Sequence, residues 1–414
     1  MFCHAHHPRA AILAIGLLVA GPARAGDWPQ ILGPRRNGVA DQETLAERLP
    51  SAGPPVAWQR SVGEGFAGVS VAKGTVVLFH RQANKEIVEA LDAKTGERRW
   101  KQEFPATYQG SIAPDNGPRC VPLIHADDVY LLGAAGGLHC VALGNGQHRW
   151  SRDLGEEFGA QEGYFGAGST PIVEQGKLLV NVGGKQGAGI VAFELADGRE
   201  AWRATEEAAS YSAPTSAVVE GVRQAVFVTR LKALGLDPRT GRVYWQMPFG
   251  ARGPTVNAAT PLVSDGHLFL TASYGIGAVY ARLGKDSVQE VWANNESLSS
   301  QYSTPVPHEG HLYGTDGRAD AGPVRLRCIN AATGEVRWSE QGFRPAHVIL
   351  ADGKLLIMQD DGALVLAAPD PAAYRPLGRA MLFTTTSRAM PALAGGRLYA
   401  RDTRTLKCFE LADR

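Results

Sequence analysis

Cysteine and histidine are the side chains most able to hold a metal or attack a substrate. The chain opens with a dense run of them, Cys3-His4-Ala5-His6-His7. Four more cysteines follow, at Cys120, Cys140, Cys328 and Cys408. Other reactive patterns are missing. No phosphate-cradling glycine loop ending in Lys-Ser/Thr occurs, no Gly-x-Ser-x-Gly elbow, no His-Glu-x-x-His pair and no Cys-x-x-Cys-His haem site. The glycines Gly163, Gly166 and Gly168, like Gly183, Gly184, Gly187 and Gly189, fall between predicted strands and open no helix, which argues against a dinucleotide. Asn295-Glu296-Ser297 fits a glycosylation sequon by chance alone in a bacterial-type exported chain.

The elements that would position any site come from a repeat. Leu91-Asp92-Ala93-Lys94-Thr95-Gly96 is followed by a short segment ending in Trp100. An Asp that caps backbone N–H groups and a Gly that takes positive φ close a tight hairpin. Variants return at Leu143 to Gly146 with Trp150, Leu195 to Gly198 with Trp202, and Leu236 to Gly241 with Trp245. A degenerate copy, Leu283-Gly284-Lys285-Asp286, precedes Trp292, and Ile329 to Gly334 precedes Trp338. Trp58 joins the series, whose mean step is roughly 47 residues, the range of propeller blades.

Within each repeat four strands are legible. In the sixth they are Tyr302 to Val306, His311 to Tyr313, Val324 to Ile329 and Glu335 to Trp338. The opening recurs as Ser169-Thr170-Pro171-Ile172, Ser212-Ala213-Pro214-Thr215 and Ala259-Thr260-Pro261-Leu262. Proline is tolerated at the start of a strand but not in the middle of a sheet. A seventh repeat runs from Ala346 to Leu366, with Tyr374 to Pro376 as its outer strand. The last repeat has only Met390 to Leu393, Arg397 to Ala400 and Leu406 to Phe409, and then the chain stops. The orphan strand around Trp58 supplies the fourth. The expectation is an all-β, eight-bladed β-propeller of four-stranded antiparallel blades, its ring closed by an N-terminal strand completing the last blade. Trp58, Trp100, Trp150, Trp202, Trp245, Trp292 and Trp338 then serve as structural wedges between blades.

Composition bounds the rest. With 42 basic and 41 acidic residues in 414, the net charge of +1 speaks against nucleic acid as a partner. Residues 1–25 read as a signal peptide, with an apolar run from Ala10 to Ala20 and a small-x-small site at Ala23-Arg24-Ala25. The run is too short to span a bilayer, and no later stretch does better. The histidine-rich segment is expected to leave with that signal. No Cys sits at the cleavage point, so an exported, periplasmic, soluble protein without a lipid anchor is expected. Residues 26–54 form a Pro/Gly-punctuated leader with a helix-compatible patch from Asp41 to Leu49, and 55–414 form the propeller. Cys140, Cys328 and Cys408 share one slot of one strand in three repeats, and Cys120 falls on the first strand of the repeat that holds Cys140. Strands two apart lie beyond bridging distance, so four buried free thiols are expected.

The motif Ala/Cys-Leu-Asp-x-x-Thr-Gly-x-x-x-Trp, carried best by Ala90 to Trp100, Leu234 to Trp245 and Cys328 to Trp338, resembles the pyrroloquinoline quinone (PQQ) repeat. The resemblance covers residues 55–414, and the leader Trp28-Pro29-Gln30…Gly33-Pro34…Gly38 resembles that of exported PQQ-repeat-like proteins. The family implies one of two roles. Quinoprotein dehydrogenases hold PQQ at the central channel with a Ca²⁺ bound by Glu and Asn, an Asp base, and two adjacent cysteines. BamB-like scaffolds assist barrel assembly without chemistry. No two cysteines are adjacent here. The expected role is therefore a non-catalytic binding or assembly platform, monomeric, with protein partners in the cell envelope and no cofactor. A PQQ- and calcium-dependent dehydrogenase is the alternative, and a carbohydrate or other small-ligand binder the second.

A ligand would meet the polar groups converging on the channel mouth, where the chain enters each first strand. These are Asp115, Asn116 and Arg119 before repeat two, and Glu162 and Tyr164 before repeat three. Arg252 and Asn257 precede repeat five, Gln301 and Tyr302 repeat six, and Arg388 repeat eight.

Overall fold

The computed structural model describes residues 26–110, 112 and 115–412; the signal-peptide expectation and the Cys3 to His7 run lie outside them. Eight antiparallel blades follow one another, the first spanning Ser70–Ala72, Thr75–Gln82, Lys85–Asp92 and Arg98–Pro105. The eighth contains Ala392–Ala394, Arg397–Arg401 and Thr405–Glu410, and its outer strand is Val56–Ser61 from the other end of the chain, with Trp58 opposite Cys408. The expected ring closure is present.

Two repeated sequence features explain the assembly. Hairpin turns such as Gln175-Gly176, Asp265-Gly266 and Asp352-Gly353 place both central residues at positive φ, the twist that two adjacent antiparallel strands require. In the Asp-x-x-Thr-Gly turn, the Asp92 carboxylate accepts the N–H groups of Lys94 (2.9 Å) and Thr95 (3.0 Å), as the sequence suggested. The tryptophans lie between blades. Six of the seven indole N–H groups donate into the next blade's turn: Trp58 to the Ala93 carbonyl (3.1 Å), Trp100 to Leu143 (2.7 Å), Trp150 to Leu195 (2.9 Å). Trp202, Trp292 and Trp338 do the same to Pro238, Ala331 and Asp370. The turn glycine lies flat on that ring, so a Cβ at Gly96 would come within 2.6 Å of Trp58.

The Ser-Thr-Pro openings work differently from the expected first strands. The strands begin later, at Ile172, Thr215, Leu262 and Val306. The residues ahead of them are buried staples between blades: Ser169 Oγ donates to the Ser212 carbonyl, Ser212 Oγ to that of Ala259, both at 2.7 Å. Cys120 likewise precedes its first strand, Leu123–His125, instead of lying on it. Cys120, Cys140, Cys328 and Cys408 are all buried and free. Burial pushes the Cys120 and Cys140 thiols up to about 12, so neither is a ready nucleophile.

The leader is built into the ring. Trp28, 1% exposed, exchanges backbone hydrogen bonds with Val71 of the first blade. The Pro29 carbonyl then accepts from Ile124 of the second blade. Arg36 crosses to the third and fourth, donating to the carbonyls of Pro171, Thr170 (3.5 Å) and Pro214 (2.8 Å), while its Nε donates to Gln30 (2.8 Å). Val39–Ala40 then pairs in parallel with Leu350 and Ala351 of the seventh blade. One segment thus spans the channel and ties its far walls together. No helix forms between Asp41 and Leu49. The Glu43 carboxylate accepts the N–H groups of Gly395 (2.9 Å) and Gly396 (2.6 Å), and Leu45 donates to Asp352 (3.0 Å). Neighbouring blades satisfy polar groups that a helix would satisfy internally. The one α-helix among the described residues is Leu154–Phe158, capped by Asp153.

Candidate functional site

Above the leader, the channel opens into a cavity of about 240 Å³ whose floor includes Ile31. Phe66, Phe165, Tyr211, Tyr274 and Tyr302 contribute rings to its wall, and Arg119 and Arg388 bring cations. Both guanidiniums lie 5.8 Å from the centre of the Phe66 ring, so one aromatic ring serves two cations. Phe165 and Tyr211 pack at 5.7 Å, and Tyr302 and His347 at 5.5 Å.

Of the ten residues singled out at the mouth, Arg119, Gln301, Tyr302 and Arg388 line this cavity together. The others lie elsewhere. Asp115 accepts the N–H groups of Gly65 (2.9 Å) and Gly117 (3.0 Å) and pairs with Arg119 at 3.6 Å. Asn116 accepts from Gly110 (2.7 Å) and its N–H meets Glu64 (3.0 Å), so both residues pin the loop before blade two. Asn257 is 1% exposed and its amide donates to the carbonyls of Thr229 (3.0 Å), Arg230 and Phe249 (both 3.3 Å), stapling a loop. Glu162 borders a separate small cavity, and Arg252 is exposed on its loop. Tyr164 is 41% exposed on the rim, edge-on to Phe165.

Several wall residues escaped the sequence reading. Tyr211 carried a signal, since Tyr211-Ser212-Ala213-Pro214 occupies the same slot as Tyr302-Ser303-Thr304-Pro305. Phe66, Phe165 and His347 belong to no repeated motif, and Ile31 reaches the site only through the leader's path.

Two carboxylates near the mouth, Asp115 and Asp360, are already engaged. Asp115 faces Arg119, and Asp360, 3% exposed, faces Arg344 at 3.0 Å and Arg388 at 3.9 Å. Among the described residues no three His, Cys, Asp or Glu side chains gather as a metal site. The arginines suit the carboxylates of PQQ, but the oxygen donors that Ca²⁺ requires are held by those same arginines. The residues present do not fit the calcium–quinone pair.

Such a ring, with a leader-sealed channel and tryptophan-wedged blades, defines a PQQ-repeat β-propeller. Residues 51–187 and 84–340 match the family described as outer membrane protein assembly factor BamB, and the chain belongs to it. No curated protein matches the chain. Among solved structures it is similar to BamB from Moraxella catarrhalis, 14% identical, covering 88% of this chain and 99% of that one with a TM-score of 0.63. It is similar too to the quinohemoprotein alcohol dehydrogenase of Comamonas testosteroni, 14% identical over 95% of this chain and 82% of that one, TM-score 0.66. A europium-containing methanol dehydrogenase is 12% identical over 91% and 89%, TM-score 0.70. At these identities the likeness is one of fold. No helix among the described residues is long and apolar enough to cross a membrane.

Proposed function

We propose that this chain is an exported binding platform without chemistry of its own, which holds a protein partner of the cell envelope on the channel-mouth face. The observation that carries the reading is the make-up of that face. Aromatic rings and arginines converge there, the residue types that dominate binding hot spots, and Tyr164 (41% exposed) packs against the lining Phe165. The opposite end of the channel is crossed by the leader, and the tryptophan-wedged ring is a rigid support. Engagement of Asp115 and Asp360 by arginine weighs against the dehydrogenase reading.

A photo-crosslinking residue in place of Tyr164, expressed in the host envelope, tests the platform. A discrete protein adduct is expected there and none from Val291, exposed on an outer strand. Equal or absent adducts from both positions would sink it. Calorimetric titration with PQQ in millimolar Ca²⁺, repeated with EDTA, tests the alternative. Tight calcium-dependent binding would replace the platform with the enzyme.

A further inference from the structure

Two buried polar atoms on residues that line the mouth cavity have no partner in the protein. One is the hydroxyl of Tyr302, the other Nδ1 of His347, a residue 7% exposed. Both residues line the cavity, with their rings 5.5 Å apart. Buried polar groups are nearly always satisfied, so a pair of orphans on one wall marks a place where something else completes the bonding.

Their chemistry is defined by their neighbours. The other nitrogen of His347, Nε2, lies 2.9 Å from the carbonyl of Arg388. A carbonyl only accepts, so Nε2 carries the proton, and burial holds the imidazole pKa below its usual value and the ring neutral. Nδ1 is then a bare lone pair that requires a donor. Burial and the nearby Asp360 raise the Tyr302 phenol, so it keeps its proton and can donate. Beside them Arg388, with 43% of its side chain exposed, brings a cation into the cavity.

From these three groups we infer that the cavity binds a hydroxycarboxylate: its carboxylate accepts from Tyr302 and Arg388, and its hydroxyl donates to Nδ1 of His347. A plain carboxylate would leave Nδ1 unmet, and a neutral alcohol would leave the guanidinium only Asp360 at 3.9 Å, a carboxylate that already pairs with Arg344 at 3.0 Å. At about 240 Å³ the space is below the range of drug-sized pockets and suits a single small acid or one sugar unit. The aromatic wall provides flat apolar surface for the carbon skeleton. The same chemistry is found in free 2-hydroxy acids and in uronic acids, which are hydroxylated sugar acids. This inference rests on the mouth being the working face and adds the chemistry that the centre of that face recognises.

Calorimetry on the purified full chain separates the possibilities. L-lactate and D-glucuronate are titrated against propionate, which lacks the hydroxyl, and D-glucose, which lacks the carboxylate. At least one hydroxycarboxylate should bind about tenfold or more tightly than its analogue, as expected when one bond to a buried polar group is lost. Lactate alone points to a free acid, glucuronate alone to a sugar acid, and both to the shared chemistry. Tyr302→Phe, which removes only an unpartnered hydroxyl, should keep the native fold by circular dichroism and weaken binding about tenfold. Propionate equal to lactate together with glucose equal to glucuronate would overturn the inference. So would an unchanged Tyr302→Phe affinity, or no heat from either acid in the millimolar range. Persistent Tyr164 adducts beside absent heat would remove the ligand and leave the platform; heat without adducts would do the reverse.

Discussion

The indole N–H of Trp245 donates to Oε1 of Gln224 at 2.7 Å, a side-chain partner where the six other wedge tryptophans use a backbone carbonyl. The amide of Gln224 in turn donates to the carbonyls of Gly284 and Lys285, both at 3.0 Å. Those two residues belong to the one degenerate hairpin of the series. The fully buried glutamine therefore bridges a gap that the missing Thr-Gly turn leaves. Gln224→Leu should strand one donor and two acceptors and destabilise the propeller by about 3 kcal/mol. The urea midpoint would report it, and an unchanged midpoint would show that the bridge is dispensable.

Arg36 joins the leader to the channel wall through main-chain carbonyls of two blades. Burial lowers its pKa, and the hydrogen bonds are what offset the loss of water. Arg36→Met keeps the bulk and strands the acceptors, at about 3 kcal/mol. Hydrogen exchange should accelerate at residues 27–40 while the outer strands stay protected. Uniform acceleration around the ring would instead mean that the leader folds as one unit with every blade.

Ring closure rests on Trp58 of the last blade lying over Gly96 of the first. Gly96→Ala meets both a positive φ of 72° and the indole, whereas Gly74→Ala meets only the φ of 69° in open space. The control should lose about 1 kcal/mol and Gly96→Ala two to three times as much. Equal losses in denaturant titration would remove the indole from the account.

Acid stability is set by opposing buried groups. Burial lowers His80, whose Nδ1 accepts the Gly63 N–H at 2.7 Å, from 6.5 to about 4. As pH falls through that interval the unfolded chain binds the proton first, so acidification destabilises the fold. Burial raises Glu86 from 4.5 to about 7, although its Oε1 accepts the Ala134 N–H at 2.7 Å. There the folded chain binds the proton first, and acidification from pH 7 stabilises it. Each contribution is at most about 3 kcal/mol. Between pH 7 and 4.5, Glu86→Gln should steepen the fall of the urea midpoint and His80→Gln should flatten it. Parallel curves for all three proteins would exclude both groups.

The sequence by itself determined the ring. Its signals are local: a hairpin needs Asp and Gly at fixed offsets, a blade needs its wedge at a fixed slot, and repetition amplifies both until Trp58 can be matched to a blade ending 350 residues later at Cys408. Four of the mouth residues, Arg119, Gln301, Tyr302 and Arg388, were legible because repeated strands start at the channel. Only the tertiary structure decided the cavity itself. Ile31 and Arg36 come from a leader with no repeat, whose path depends on an N–H of the second blade and carbonyls of the third and fourth. Asn257 and Tyr302 are both polar residues entering a first strand, yet one staples a loop and the other lines the cavity with an unpaired hydroxyl. Which polar group finds a partner depends on contacts between distant segments, and local spacing carries no record of them.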